Sequence, residues 1–397
     1  MNTIKFSFGR PVAPKHFYNR KEEIDRILLR LLTIKDGAKN DLVLVGPRRV
    51  GKSSILAYLE WKLPKKNILP IDIDCEGFDL VAFLKAYGNA TMESEFRSLG
   101  LMRRFQDRMK RGFTEALSTM AEALGRLKTV EVGSSVKEFI RFRIEFEKST
   151  YQRAITDDEI ETLFERTIDL PDKLDRKCVV MFDEFQDTAN YSFSRGEFHA
   201  NFRNRIRNQK NVAYLYTGSA IGMMDAIFGD PKNPLAGGAE TIYIEPFDKD
   251  TSVSFLETRF KDAGRKIEDD VAHYIYGKVG GFPLYLNWVG LRICDFVGEN
   301  KTITSNIAKR VCDEIHSPRS PIFQMIEKQL IKLGLKTRNV MYCLALGYQS
   351  PPEIARESNI KNVYVYLERL QKYGLVSKYD NRYKLVDPII SEHLTRI

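Results

Sequence analysis

With 397 residues the chain exceeds one comfortable hydrophobic core, so two or three domains are expected. Its 43% hydrophobic and 29% charged residues exclude wholesale disorder, and a net charge of +9 admits polyanions as partners without choosing among nucleotide, nucleic acid and anionic surface. Five widely spaced cysteines without C-x-x-C spacing read as reduced core residues rather than a zinc or redox site.

Met1 to Pro14 has no sustained apolar run, and no later segment approaches bilayer length. A soluble, cytoplasmic protein with no membrane attachment is expected. A helix follows Phe17 and Tyr18, with Ile24, Ile27, Leu28, Leu31 and Leu32 at helical spacing and Asn19 placed to cap it. The two aromatics either staple this helix to the core or lie near an adenine base, where such rings stack.

Asp41 to Val45 reads as a buried strand that runs into Gly46, Pro47, Arg48, Arg49, Val50, Gly51, Lys52, Ser53 and Ser54, and then into a helix. This is G-x-x-x-x-G-K-S, a P-loop. Its glycines let backbone N–H groups converge on phosphate oxygens at a helix N-terminus. Lys52 adds a point charge for the β- and γ-phosphates, and Ser53 a hydroxyl for Mg²⁺. A second strand is expected over Asn67 to Asp74, then a long helical stretch whose Arg103, Arg104, Arg108, Lys110 and Arg111 form a basic run. Such a run is ordinarily a solvated helix face, the other reading being contact with nucleic acid or a partner.

Cys178 to Asp183 is an apolar strand ending in adjacent carboxylates, the Walker B pattern. Asp183 would hold Mg²⁺ through water and Glu184 would polarise the attacking water. After a helix over Phe198 to Asn208, the strand Asn211 to Ser219 ends in hydroxyls. Ser219, with Thr217 second, either reads the γ-phosphate or belongs to a plain turn. A fifth strand is expected over Thr241 to Pro246. Asp250 to Cys312 then reads as entirely helical, with Gly280-Gly281 ending one helix and Pro283 in the first turn of the next.

From Pro321 onward helices precede a hairpin turning at Asp380-Asn381, the winged-helix order. Lys361, Asn362, Arg369 and Lys372 on the second helix, with Lys378 and Arg382 on the wing, are then candidates for duplex DNA. Tyr364, Tyr366 and Leu370 suit a core, and such modules also serve as protein contacts.

Taken together, F-Y-N-R-K-E-E-I from Phe17, G-P-R-R-V-G-K-S-S from Gly46, D-E-F-Q from Asp183, T-G-S from Thr217, G-G-F-P-L-Y-L from Gly280 and Y-K-L-V-D-P from Tyr383 resemble the archaeal ATPase family. That family is a branch of the STAND class of P-loop NTPases, related to AAA+ proteins. The resemblance implies an α/β, RecA-like core with parallel strand order 5-1-4-3-2, a helical lid and a C-terminal winged helix. The corresponding division is 1–248 for the core with a helical insertion at about 88–171, 249–318 for the lid and 319–397 for the winged helix. It also implies ATP or ADP as ligand, Arg20 near the nucleotide, Pro283 in the lid approaching the adenine, and a sensor role for Ser219.

Lys52, Glu184 and Ser219 are thus the catalytic candidates, and an ATPase switch coupled to DNA or protein binding is the expected function. The alternatives are a binding module in which ATP is structural, and an oligomeric AAA+-type loader or initiator on DNA. No arginine occurs from Ala220 to Thr258, where an AAA+ ring places its arginine finger. Arg203, Arg205 and Arg207, or Arg48 and Arg49, would have to substitute, in a monomer or a nucleotide-dependent oligomer.

Overall fold

A computed structural model describes residues 4–110, 115–119, 132–150, 154–174, 176–193 and 196–396. Arg111, the last of the basic run, lies outside them.

Five strands, β1 (Leu42–Val45), β2 (Leu69–Asp74), β3 (Cys178–Asp183), β4 (Val212–Gly218) and β5 (Glu240–Tyr243), form one sheet in the order β2-β3-β4-β1-β5. All its pairings are parallel, so every strand ends at the same edge. Read from β5, this is the expected order 5-1-4-3-2. The three middle strands are apolar almost throughout because both faces of a parallel sheet are covered. Alternation then divides them: Leu42, Leu44, Val179, Met181, Ala213 and Leu215 face one core, while Val43, Val45, Val180, Phe182, Tyr214 and Tyr216 face the other.

The second face is covered by the helices Leu80–Ser98, Asp157–Asp169 and Phe198–Ile206. An aromatic cluster fills the contact, with Phe182 stacked on Tyr214 at 6.0 Å between ring centroids. Helices Met102–Met109 and Val132–Thr150 extend this layer.

The first face carries α1 (Lys21–Leu32) and α2 (Lys52–Lys62), and its core continues without a break through the C-terminal half. Leu59 of α2, Phe255 and Leu286 of the following helices, and Ile326, Leu367 and Leu385 near the C-terminus belong to one buried cluster. Four helices, Lys249–Asp262, Val271–Val279, Pro283–Phe296 and Ser305–Glu314, occupy the stretch where a lid was expected. They are not alone there: β6 (Lys266–Ile267) and β7 (Thr302–Ile303) form a short parallel pair, where unbroken helix was expected.

Helices Pro321–Leu333, Leu335–Ala345, Pro351–Ser358 and Tyr364–Lys372 lead into the antiparallel hairpin of β8 (Val376–Tyr379) and β9 (Arg382–Leu385). Asp380 and Asn381 turn it with φ of 43° and 61°, the left-handed pair that two-residue hairpins favour. A final helix, Pro388–Arg396, was not expected from the sequence.

The expected cap of α1 is corrected. Arg20, not Asn19, occupies the N-cap position, and no side chain caps the helix. Both residues are left-handed, with φ of 58° and 63°, because the Arg20 guanidinium is drawn inward to donate to the carbonyls of Val50 and Glu245. Asn19 Nδ2 is left reaching Thr251 Oγ1 at 3.4 Å.

Candidate active site

The P-loop bends between β1 and α2 at the carboxyl edge of the sheet. Gly46 has to be glycine: a Cβ there would stand 2.1 Å from the Ile244 carbonyl oxygen. Gly51 adopts φ of 99° as the loop enters α2. Outside the loop, Arg20 holds the Val50 carbonyl at 3.3 Å, and the Leu284 N–H reaches the Arg49 carbonyl at 3.4 Å. The loop is therefore tied both to the segment before α1 and to the helix Pro283–Phe296.

Lys52 is buried, and its Nζ donates to the carbonyls of Gly46 at 2.8 Å and Pro47 at 3.0 Å. Burial lowers its pKa, against the opposing charges of Glu184 and Asp183. Asp183, at the end of β3, accepts the Ser53 hydroxyl at 2.6 Å on one oxygen and the Thr217 hydroxyl on the other. Glu184 accepts the Ser219 hydroxyl at 2.6 Å, the Ser219 N–H at 3.2 Å and the Gln186 amide at 2.6 Å, all on one oxygen. Burial would raise the Glu184 pKa, but Lys52, the Ser219 hydroxyl, Arg48 and Gln186 more than offset it and hold the carboxylate ionised, below its ordinary range.

The two hydroxyls at the end of β4 are thus shared out, Thr217 to Asp183 and Ser219 to Glu184. Thr217 is the penultimate residue of β4 and Ser219 follows its last residue, which places both hydroxyls beside the carboxylate pair that ends β3. Gln186 is the contributor that sequence reasoning passed over, although it stands in the D-E-F-Q motif.

Phe17, Tyr18, Arg20, Val50, Phe247 and Pro283 line a cleft beside the loop, so the structure brings together the residues expected near the base. Tyr18 also packs edge-on against Phe255 at 5.2 Å and pairs its hydroxyl with Ser254 at 2.8 Å, while Phe17 lies 5.0 Å from Tyr58. They therefore staple and line at once.

Of the two loop arginines, Arg48 is half-exposed and stands 3.8 Å from Glu76. Arg49 departs. From a left-handed φ of 73° its guanidinium runs to the C-terminal region, donating to Asp387 at 2.6 Å and Gln329 at 2.7 Å. Tyr285 of the helix Pro283–Phe296 donates to the same Asp387 oxygen at 2.6 Å, and burial raises the Tyr285 pKa, so the phenol stays protonated. The other Asp387 oxygen takes the N–H groups of Ile389 at 2.9 Å and Ile390 at 3.2 Å, capping the last helix.

Lys361, Asn362, Arg369, Lys372, Lys378 and Arg382 are all exposed. They do not share one setting. Lys372 lines a cleft against the core with Tyr191, His199 and Met223, and its Cα lies 2.9 Å from where a Cβ on Gly222 would be.

A family model for an ATPase domain predominantly from Archaea matches residues 17–289. The chain belongs to this archaeal ATPase family. An uncharacterized ATP-binding protein of Methanocaldococcus jannaschii, MJECL15, is 23% identical over 284 residues, which are 68% of this chain and 71% of that one. A second from the same organism, MJ0075, is 30% identical over 111 residues, 27% of this chain and 30% of that relative's length. Among solved structures, the Walker-type ATPase PABY2304 of Pyrococcus abyssi superposes with a TM-score of 0.67 at 22% identity, covering 99% of both chains. The ORC2 protein of Aeropyrum pernix, in ADPNP-ADP complexes, gives 0.54 at 12% identity, covering 98% of this chain and 95% of that one. At these identities the structural likeness speaks for the fold alone. No helix among the described residues is long and apolar enough to cross a membrane.

Proposed function

We propose that this archaeal ATPase is a nucleotide-dependent switch. It hydrolyses ATP with Mg²⁺, and the nucleotide state sets whether the winged helix, 319–397, stays docked on the core, 1–248, and lid, 249–318, or is released to bind duplex DNA. The observation that carries this reading is the convergence of a buried P-loop ammonium, a carboxylate holding two hydroxyls and a second carboxylate clamped by three donors.

The Ser53 hydroxyl and Asp183 carboxylate are hard oxygen donors at one point, and no group of three or more metal-ligating residues occurs among the described residues. That sparse set suits Mg²⁺, which keeps most of its waters and takes phosphate oxygens. When bound, the ion would neutralise phosphate charge. Lys52 would exchange its loop carbonyls for the β- and γ-phosphates. Glu184, oriented by Ser219 and Gln186, would take a proton from the attacking water as its oxygen bonds to the γ-phosphorus. The bond from phosphorus to the β–γ bridging oxygen breaks with its electron pair leaving on ADP, and the proton passes on to solvent.

The coupling to the winged helix is supported by the Arg49–Asp387 bond, which joins that part to the phosphate loop itself. The test is steady-state ATP hydrolysis with and without duplex DNA, for the parent, Lys52→Ala and Glu184→Gln. A rate raised by DNA and lost in both variants supports the proposal. ATP binding without turnover that either substitution diminishes would leave a nucleotide-stabilised binding module.

A further inference from the structure

We infer that Arg48 is a catalytic residue supplied in cis, the cation that meets the γ-phosphate as negative charge develops during its transfer. The inference rests on the hydrolytic reading above and adds to it the source of the missing arginine.

The first argument is elimination among the arginines that could serve. Arg49 is committed to Asp387 and Gln329, with a side chain only 7% exposed. Arg20 is committed to two carbonyls, and Arg203 to those of Pro234 and Ala236. Arg205 pairs with Glu165 and Asp169. Arg205 and Arg207 also lie at the wrong end of the sheet. The helix Phe198–Ile206, which holds Arg205 and ends just before Arg207, leaves the carboxyl edge after β3 and returns to the amino edge, where β4 begins at Val212. Lys39, just before β1, confirms that end by donating to the Ile206 carbonyl at 2.8 Å.

The second argument is what holds Arg48. It occupies the middle of the phosphate loop, between Pro47 and Arg49, four residues before Lys52. Its ion pair with Glu76 is long, 3.8 Å, and the two side chains are 47% and 55% exposed. Exposed pairs of this kind contribute little, so the guanidinium is available to a stronger anion. It is also close enough to the catalytic pair for its charge to act on both Lys52 and Glu184.

In the transfer step the phosphorus–oxygen bond to ADP breaks as the bond from water forms, with its electron pair going to the β-phosphate. The γ-oxygens and the bridging oxygen carry the charge. A planar guanidinium can donate to two of them, and a residue of the loop is held beside them without recruiting a second subunit.

The experiment compares Arg48→Ala, Arg48→Lys and Glu76→Gln with the parent, measuring kcat, KM and the affinities for ADP and for ADP with aluminium fluoride, which mimics the transferring phosphoryl group. Arg48→Ala should lower kcat about 100-fold or more and lose the tighter binding of the fluoride complex, with ADP affinity kept. Arg48→Lys should recover part of both, and Glu76→Gln should keep the parental kcat. A variant at Arg48 that turns over like an active parent, or that loses ATP and ADP affinity equally with kcat intact, overturns the inference. An inactive parent counts against hydrolysis instead. In that case a parent that binds the fluoride complex more tightly than ADP, with the preference lost in Arg48→Ala, still supports Arg48. A parent without that preference overturns both.

Discussion

Arg49 and Asp387 are 338 positions apart in sequence, yet they meet at 2.6 Å with both side chains buried. A residue of the phosphate loop thereby bonds directly to the residue that caps the last helix. Removing one member of a buried pair leaves the other charge without a partner, at a cost of about 3 kcal/mol or more. Arg49→Ala and Asp387→Asn should each lower the thermal midpoint and open the C-terminal region to protease, and the double variant should cost less than the sum. Asparagine keeps an oxygen for the Ile389 and Ile390 N–H groups, so the helix cap survives while the bond to Arg49 is weakened. Strict additivity of the two substitutions would show that the residues act separately.

The same region touches the core at a second place. Gly374 has φ of 68°, and a Cβ on it would stand 2.7 Å from the Ser219 carbonyl oxygen, next to the hydroxyl that holds Glu184. Gly374→Ala and Gly222→Ala should both push the helix Tyr364–Lys372 off the helix Ile221–Phe228. Limited proteolysis and small-angle scattering would register the movement. Unchanged cleavage and an unchanged radius in both variants would mean that the contact is loose enough to absorb a methyl group.

Stability should carry a pH signature from Asp41, just before β1. Burial pushes its pKa up to about 6, against Lys39 and the Tyr214 N–H, which favour the charged form. Its pKa is raised on folding, so the native state holds the proton more tightly than the unfolded chain. Its contribution is fully present below about pH 4 and is lost as pH rises through about 6. The shift corresponds to about 3 kcal/mol. Asp41→Asn keeps an oxygen for the Tyr214 N–H and removes the titration. Its melting temperature relative to the parent should therefore climb between pH 4 and pH 7 and then level off. A difference that stays flat across that window would contradict the assignment.

If the winged helix binds duplex DNA, Lys378 and Arg382 on the wing should contribute through phosphates. Reversing both to Glu should weaken binding on any sequence and make the slope of log affinity against log salt shallower by about 2. A slope equal to that of the parent would remove the wing from the DNA surface.

The sheet was legible because parallel strands covered on both faces are written as short, nearly unbroken apolar runs, as at Leu42–Val45 and Cys178–Asp183. The loop was legible because glycine spacing is a local backbone requirement. Legibility failed wherever a distant partner decided the outcome. Asn19 has the chemistry of a cap, but Arg20 is pulled to Val50 and Glu245, and that overrides it. Nothing in the neighbourhood of Arg49 announces Asp387, and Ser219 could be ranked but not assigned to Glu184. The pair β6 and β7, two residues each, is too short to carry a pattern, and the last helix, Pro388–Arg396, is a single short segment whose cap at Asp387 is tied to Arg49 far away in sequence.

The core that runs from Leu59 through Leu286 to Leu367 has a thermal consequence. A docked part that shares apolar interior with its neighbours cannot separate without hydrating that interior, so opening carries a positive heat-capacity change, as a small unfolding event does. On the proposed switch, the balance between closed and open forms would then be curved in temperature, and a nucleotide that holds the protein shut at one temperature would leave it ajar at another.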